Sequence, residues 1–97
     1  MKEEIFGMAA FRSRQQVMNF EAALRKAGVR TAIITTPRSV SVGCGLSVRF
    51  DLGDAKTAAE VYRNAQPGNL IGFYQVHREP SGQMNVRPLG VQSRYSG

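Results

Sequence analysis

The apolar and polar positions along this chain predict four short strands. An apolar run over residues 4–11 is typical of a buried central strand. Residues 29–36 are rich in β-branched side chains and predict a second strand that ends at Pro37. Residues 45–50 alternate between apolar and polar side chains and predict a third strand, and residues 70–78 predict a fourth. The segments between these strands decide the fold class.

Two segments carry apolar residues at the three- and four-residue spacing of an amphipathic helix. The first begins at Ser13, which has the capping-box spacing to Gln16, and ends before Gly28, the expected left-handed C-terminal cap. The second follows Asp54 as its N-cap and runs to about residue 65. The predicted buried positions are Val17, Phe20, Leu24 and Ala27 in the first helix and Ala58, Val61, Tyr62 and Ala65 in the second.

The resulting order, βαββαβ, predicts an α+β fold. The expected architecture is a ferredoxin-like sandwich, in which one antiparallel sheet carries two helices on one face. A turn at residues 79–82 leads into a fifth strand over residues 83–87, which forms a C-terminal hairpin with the fourth. We therefore expect a single ferredoxin-like domain over residues 1–78, followed by a hairpin extension and polar tail over residues 79–97.

Composition then narrows the classes of function. The 97 residues include 13 Lys and Arg against 7 Asp and Glu, and the net charge of +6 favours anionic partners without selecting one. One cysteine and one histidine are too few for a closed zinc site or an internal disulfide, so we expect neither a metal nor a cofactor. The N-terminus does not have the pattern of a secretory signal, and no apolar stretch is long enough to cross a bilayer. We expect a cytoplasmic protein without a membrane partner.

The candidate chemistry is the thiol of Cys44, which lies between Gly43 and Gly45 at the start of the third strand. The two glycines leave the sulfur without bulky neighbours in sequence and permit a loop whose amide groups converge on it. Arg38 and Arg49 flank this loop and are the nearest cations in sequence that would stabilise a thiolate. The alternative is that Cys44 is a small buried apolar residue without a chemical role.

The predicted topology sets the surroundings of Cys44. With strands one and three central and parallel, the connection between strands two and three lies at the edge where strand one begins. Both helices then start at the opposite edge, so Cys44 is expected near their C-terminal ends, where the helix dipole disfavours a thiolate. The turn at residues 66–69 is expected at the same edge as Cys44. His77 is expected at the far end of the fourth strand, too distant to act as its base.

Four short motifs stand out when the chain is considered as a whole: Phe11-x-Ser13, Glu21-x-x-Leu24-x-x-x-Gly28, Pro37-Arg38 and Cys44-Gly45-Leu46. Together they resemble a family of small bacterial domains described as selenium/sulfur carrier protein-like, over about residues 5–75. The resemblance implies that Cys44 holds sulfur or selenium as a persulfide or selenopersulfide. It also implies a donor protein such as a cysteine desulfurase, an acceptor protein, and a carrier in preference to a turnover enzyme.

Two other functions fit the same fold. An RNA-binding module would suit the positive charge, but Cys44 and Leu46 stand where such a module places stacking aromatic rings. A structural or regulatory homodimer with a non-reactive cysteine would associate through an exposed sheet edge. We expect the carrier function and regard nucleic acid as the less favoured partner. The extension after residue 78 lies outside the resemblance and is expected to cap the sheet edge, join a dimer or cover Cys44.

Overall fold

The computed structural model describes residues 2–40, 45–65 and 70–89, which form a five-stranded antiparallel sheet and two α-helices. The strands are β1 (Glu4–Phe11), β2 (Thr31–Thr35), β3 (Leu46–Phe50), β4 (Leu70–Arg78) and β5 (Met84–Pro88), and the helices are α1 (Arg14–Lys26) and α2 (Ala55–Ala65). Short 3-10 turns precede β3 at Arg38–Val40 and α2 at Leu52–Asp54. The predicted α+β class is confirmed. Within these residues, neither helix is long and apolar enough to cross a membrane.

The strands lie in the order β2-β3-β1-β4-β5, and every neighbouring pair is antiparallel. β1 is therefore central, with Gly7 opposite Phe50 of β3 on one side and Gln75 of β4 on the other. The prediction that strands one and three are parallel is wrong. Helix α1 returns the chain to the edge where it started, so β2 runs parallel to β1, and the reversal after β2 makes β3 antiparallel to β1.

This pairing places the β2–β3 connection at the edge of the sheet opposite to the predicted one. Phe11 lies opposite Leu70 and Ala10 opposite Ser47, so the β2–β3 connection and the start of β4 lie at the edge where β1 ends, called the exit edge below. Helix α1 also begins at the exit edge, whereas α2 ends there at Ala65, just before the chain enters β4. The expected location of the β2–β3 connection at the start of β1, away from the N-terminus of α1, is wrong for this reason, whereas the C-terminal end of α2 does lie at the edge of this connection, as expected.

Helices α1 and α2 contribute to one buried cluster with Ala9 and Phe11 of β1. Phe20 of α1 lies at its centre, with ring centroids 5.4 Å from Phe11, 6.0 Å from Phe73 and 6.2 Å from Tyr62. The other members of this cluster are Ala9, Val17, Leu24, Val29, Val48, Phe50 and Ala58. The predicted inward positions Ala27 and Ala65 are exposed, because each lies at the C-terminal end of its helix.

The opposite face of the sheet, called the open face below, has its own buried cluster. Phe6, Met8 and Ala10 of β1 lie in it with Val76 of β4 and with Val40, which the turn before β3 contributes. Phe6, Met8 and Ala10 are at most 1% exposed. β1 is thus buried on both faces, which explains why its sequence is a nearly continuous apolar run.

The end of α1 follows the sequence prediction closely. Gly28 has φ of +87°, and its N–H donates to the carbonyl of Arg25 at 3.0 Å. The N–H of Val29 reaches the carbonyl of Leu24, also at 3.0 Å. This pair of hydrogen bonds is a Schellman motif, in which glycine supplies the left-handed residue that stops the helix. Because this motif uses Val29, β2 begins at Thr31, two residues later than predicted.

Candidate functional site

Two hydrogen bonds hold together the two ends of the connection between β2 and β3. The N–H of Thr36 donates to the carbonyl of Gly45 at 2.9 Å, which extends the β2–β3 ladder by one residue on each side. The hydroxyls of Thr36 and Ser47 are hydrogen-bonded at 2.6 Å. Ser47 is fully buried beside Ala10, so this hydroxyl pair satisfies a polar group that would otherwise be unpaired in the open-face cluster.

Gly43 and Cys44 lie in segment 41–44, outside the described residues, and their predicted roles stay predictions. Gly45, which follows directly, has φ of +84° and is exposed. No heavy atom lies within 4 Å of where a Cβ on Gly45 would stand. Glycine is therefore required there by the left-handed backbone and not by lack of space. Gly45 is hydrogen-bonded to Thr36 and therefore lies at the exit edge, directly before β3.

Arg38 lies on the same connection, at the first position of the turn Arg38–Val40. The N–H of Val40 donates to the carbonyl of Pro37 at 3.0 Å, and the Val40 side chain is 7% exposed in the open-face cluster. The turn is thereby anchored, while the Arg38 side chain is exposed and pairs with no carboxylate in the described part of the chain. Arg38 thus has a fixed backbone and a guanidinium open to solvent, three residues before segment 41–44 in the chain.

Arg49 has partners that the sequence did not reveal. Its guanidinium lies 4.0 Å from the ring centroid of Phe6 and 3.2 Å from Oε2 of Glu4 on the open face. Arg78 pairs with the other oxygen of Glu4 at 3.1 Å. The hydrogen bond and charge of Arg49 lower the pKa of Glu4, an effect that partial burial opposes and that Arg78 and Lys2 reinforce. The predicted role of Arg49 at Cys44 stays a prediction, but Arg49 is already engaged toward the start of β1.

Helix α1 contributes an electrostatic feature that sequence reasoning placed at the wrong edge. The Ser13 side chain makes no capping hydrogen bond, so the predicted capping box with Gln16 is wrong. The carbonyl of Ser13 accepts the N–H groups of Gln16 and Val17, both at 3.1 Å. The N–H groups of Arg14 and Gln15 have no partner among the described residues, and the first turn contains no acid. The positive end of the helix dipole therefore lies uncompensated at the exit edge.

The charged residues are distributed unevenly between the two ends of the sheet. Residues 10–20, 31–50 and 61–78, which run to and from the exit edge, contain no aspartate or glutamate. Arg12, Arg14 and Arg38 lie close to that edge in the chain. Most of the acids lie close in the chain to the strand ends at the opposite edge of the sheet, namely Glu3, Glu4, Asp51, Asp54 and Glu79. The exit edge is consequently a region of positive potential, where an anionic sulfur species or an acidic partner would be stabilised.

His77 lies at the opposite end of the molecule, as predicted, opposite Ile5 near the start of β1. It lines a polar cleft of about 510 Å³ together with Gln75, Asn85, Val86 and Arg87. His77 is hydrogen-bonded to Glu3, and Asn85 donates to Glu79 at 2.6 Å, so two of the polar groups in this cleft already have partners. The described residues contain no group of three His, Cys, Asp or Glu side chains that could hold a metal ion.

The family model described as "Putative Se/S carrier protein-like" matches residues 6–74. The chain belongs to this family. The match includes Cys44 and ends within β4, so β5 lies beyond it. The comparisons with curated proteins and with solved structures gave no match.

The open face does not present the aromatic platform of an RNA-binding sheet. On the central strands β1 and β3, the one ring that points to this face is Phe6, which is 1% exposed and covered by Arg49. Phe11 and Phe50 point to the helices. Bases stack on exposed aromatic faces, so these two strands lack the main contact that single-stranded RNA requires.

Proposed function

We propose that this family member is a sulfur or selenium carrier that holds the chalcogen on Cys44 as a persulfide or selenopersulfide. The observation that carries the proposal is that the family match spans Cys44, the single cysteine of the chain. A transferable sulfur atom needs a thiolate to accept it, and no other side chain in the sequence supplies one.

We also assign the fold to the ferredoxin-like class, since β1 and β3 are the inner pair of a split βαβ arrangement.

The transfer needs no oxidant. The Cys44 thiolate attacks the outer sulfur of a persulfide on the donor protein, and a new S–S bond forms as the donor's own S–S bond breaks. The electron pair of the broken bond leaves on the donor sulfur, which takes up a proton as a thiol or stays a thiolate. Passing the atom on repeats the step, with a thiolate of the acceptor attacking the outer sulfur on Cys44. Selenium follows the same balance.

The charge distribution at the exit edge supports this chemistry. Thiolates and persulfides are anions, and they are stabilised by nearby cations and by the N-terminal end of a helix. Arg38 is exposed three residues before segment 41–44 in the chain, and α1 begins at the exit edge with two N–H groups free among the described residues. The neighbouring segments contain no acid, although the negative end of the α2 dipole lies at the same edge and partly offsets this charge. We infer that the donor and the acceptor meet this edge through acidic surfaces.

The proposal is tested by loading Cys44 in a defined system. The protein is incubated with a cysteine desulfurase and labelled cysteine, and its intact mass is measured before and after reduction. We expect an adduct of one sulfur atom that is lost with reductant and absent from Cys44→Ser. Loading that is equal in the wild type and in Cys44→Ser, or no reducible adduct on either, would contradict the proposal.

A second measurement separates an open thiol from a buried one. Native Cys44 should react with a small alkylating reagent at a rate close to that of the protein in denaturant. Protection of the native thiol by several orders of magnitude would instead support the alternative of a buried, non-reactive cysteine.

A further inference from the structure

The two outer strands of the sheet are protected to different degrees against pairing with another chain. β5 carries Arg87 and ends at Pro88, and charge and proline are both devices that discourage edge pairing. β2 has the sequence Thr-Ala-Ile-Ile-Thr, without charge, proline or glycine, and its register with β3 is regular throughout. Among the described strands, β2 therefore presents the unprotected edge.

The hydrogen-bonding groups on that edge can be assigned from the ladder. The N–H of Thr36 points toward β3, where it meets Gly45. The backbone groups of successive residues alternate in direction along an antiparallel pair. The N–H and C=O groups of Ala32 and Ile34 therefore also point toward β3. The N–H and C=O groups of Thr31, Ile33 and Thr35 then point outward. These six groups have no partner among the described residues.

Exposed apolar side chains lie beside the same edge. In the part of the chain that the structure describes, Met18 and Ile33 are two of the three large apolar residues that are exposed, at 42% and 37%. Thr31 donates to Glu21 at 2.8 Å, which shows that this flank of α1 faces β2. Met18 lies one helical turn before Glu21 and therefore on the flank of α1 that faces β2. The edge is bordered by an apolar patch that nothing in residues 2–40, 45–65 and 70–89 covers.

We infer that the protein forms a two-fold symmetric dimer through β2, with a second copy of the chain as the occupant of this edge. An antiparallel pairing with Ile33 opposite its own counterpart places Thr31 opposite Thr35 of the other subunit. This register uses all six outward groups of each chain and keeps them in hydrogen-bonded pairs. It joins the two sheets into one and brings the two Met18 side chains toward the symmetry axis, where they are removed from water.

The charges on the same flank of α1 are complementary under this symmetry. Along the axis of α1, Arg14 lies four residues, about 6 Å, before Met18. Glu21 lies three residues, about 4.5 Å, after it. In an antiparallel pair of helices, Arg14 of one subunit comes level with Glu21 of the other, twice per dimer. Glu21 already binds Arg25 at 2.9 Å, so Arg14 would complete a three-charge network. The exit edges then lie at opposite ends of the dimer, and the inference does not depend on the proposed function.

The test measures the mass of the intact protein in solution as its concentration rises from micromolar to millimolar. We expect a transition from 10.7 kDa to twice that mass in sedimentation or light scattering. Ile33→Lys puts two like charges opposite each other at the axis and should weaken the dimer at least tenfold. Ile5→Lys is the matched control, since Ile5 is 51% exposed at a strand position away from β2 and should leave the dimer unchanged.

Backbone amide exchange gives a readout that does not depend on a variant. The amides of Thr31, Ile33 and Thr35 should exchange more slowly at high protein concentration, whereas those of Ala32 and Ile34 should be protected at every concentration. A protein that stays monomeric throughout overturns the inference. So does a dimer that Ile33→Lys leaves intact, or one in which these three amides exchange at the same rate in monomer and dimer.

Discussion

The packing of Phe50 over Gly7 yields a prediction that can be worked out in numbers. The two residues are directly opposite each other in β1 and β3, and a Cβ on Gly7 would lie 2.2 Å from Cε1 of the Phe50 ring. Optimal carbon contacts are about 3.5–4.0 Å, so Gly7→Ala leaves the methyl group roughly 1.3 Å too close. The ring cannot simply swing aside, because Phe50 is 1% exposed and its centroid is 6.2 Å from that of Phe73.

The magnitude follows from two opposing effects. Forcing one extra carbon into a packed core costs about 1–3 kcal/mol. Replacing glycine by alanine in a strand returns about 0.5–1 kcal/mol, because the unfolded chain has less freedom to lose. We expect Gly7→Ala to lower the free energy of unfolding by about 1–2 kcal/mol. In a domain of this size, the thermal midpoint should fall by roughly 5–15 °C.

The assay is a double-mutant cycle by chemical denaturation. Phe50→Leu removes the ring that occupies the space, so adding Gly7→Ala to it should cost much less than adding Gly7→Ala to the wild type. Gly53→Ala is the matched control, because no heavy atom lies within 4 Å of its added Cβ and it should be nearly neutral. An equal cost of Gly7→Ala in both backgrounds, or no cost in the wild type, would refute the packing argument.

Three further predictions concern the site and its supports. Gly45→Ala should cost about 1–2 kcal/mol in denaturation experiments, because φ of +84° is unfavourable for alanine even in open space, and a neutral result would contradict the assigned backbone. Since the pKa of Glu4 is lowered on folding, its stabilising effect is present above the unfolded pKa and lost as pH falls through the folded value. The thermal midpoint of the wild type should therefore fall more steeply in acid than that of Glu4→Gln, and parallel profiles would refute this. Arg38→Ala should slow alkylation of Cys44 by iodoacetate more than by neutral iodoacetamide, with added salt reducing the difference; equal slowing would show that charge is not the cause.

The features that were predicted best from the sequence, strand bounds and the end of a helix, are those that depend on residues close together in the chain. The bounds of β1 and β4 agree with the structure, and for β1 the reason is that a nearly continuous apolar run has few alternatives to a buried strand. Gly28 was identified as the helix stop for a similarly local reason. The Ser13 capping box was wrong although its spacing was correct, since spacing permits the hydrogen bond without requiring it. The carbonyl of Ser13 takes the helix N–H groups instead.

What the sequence could not supply were the relations between distant segments. The pairing of Arg49 with Glu4 joins residues 45 positions apart, and nothing near Arg49 in the chain indicates it. The direction of β3 depends on counting chain reversals from β1, and an error there placed the β2–β3 connection at the wrong end of α1. The antiparallel register corrected both the position of the β2–β3 connection and the sign of the α1 dipole near it.

The central position of β1 also determines the order in which this protein can fold during synthesis. β1 emerges from the ribosome before the other four described strands, yet one of its partners, β3, begins at Leu46, and the other, β4, pairs Arg78 with Glu4. The apolar side chains of β1 therefore stay exposed until β3 and β4 have been synthesised and can pair with it. Contacts of such long sequence separation slow folding, and an apolar strand that is exposed in the meantime is prone to aggregation.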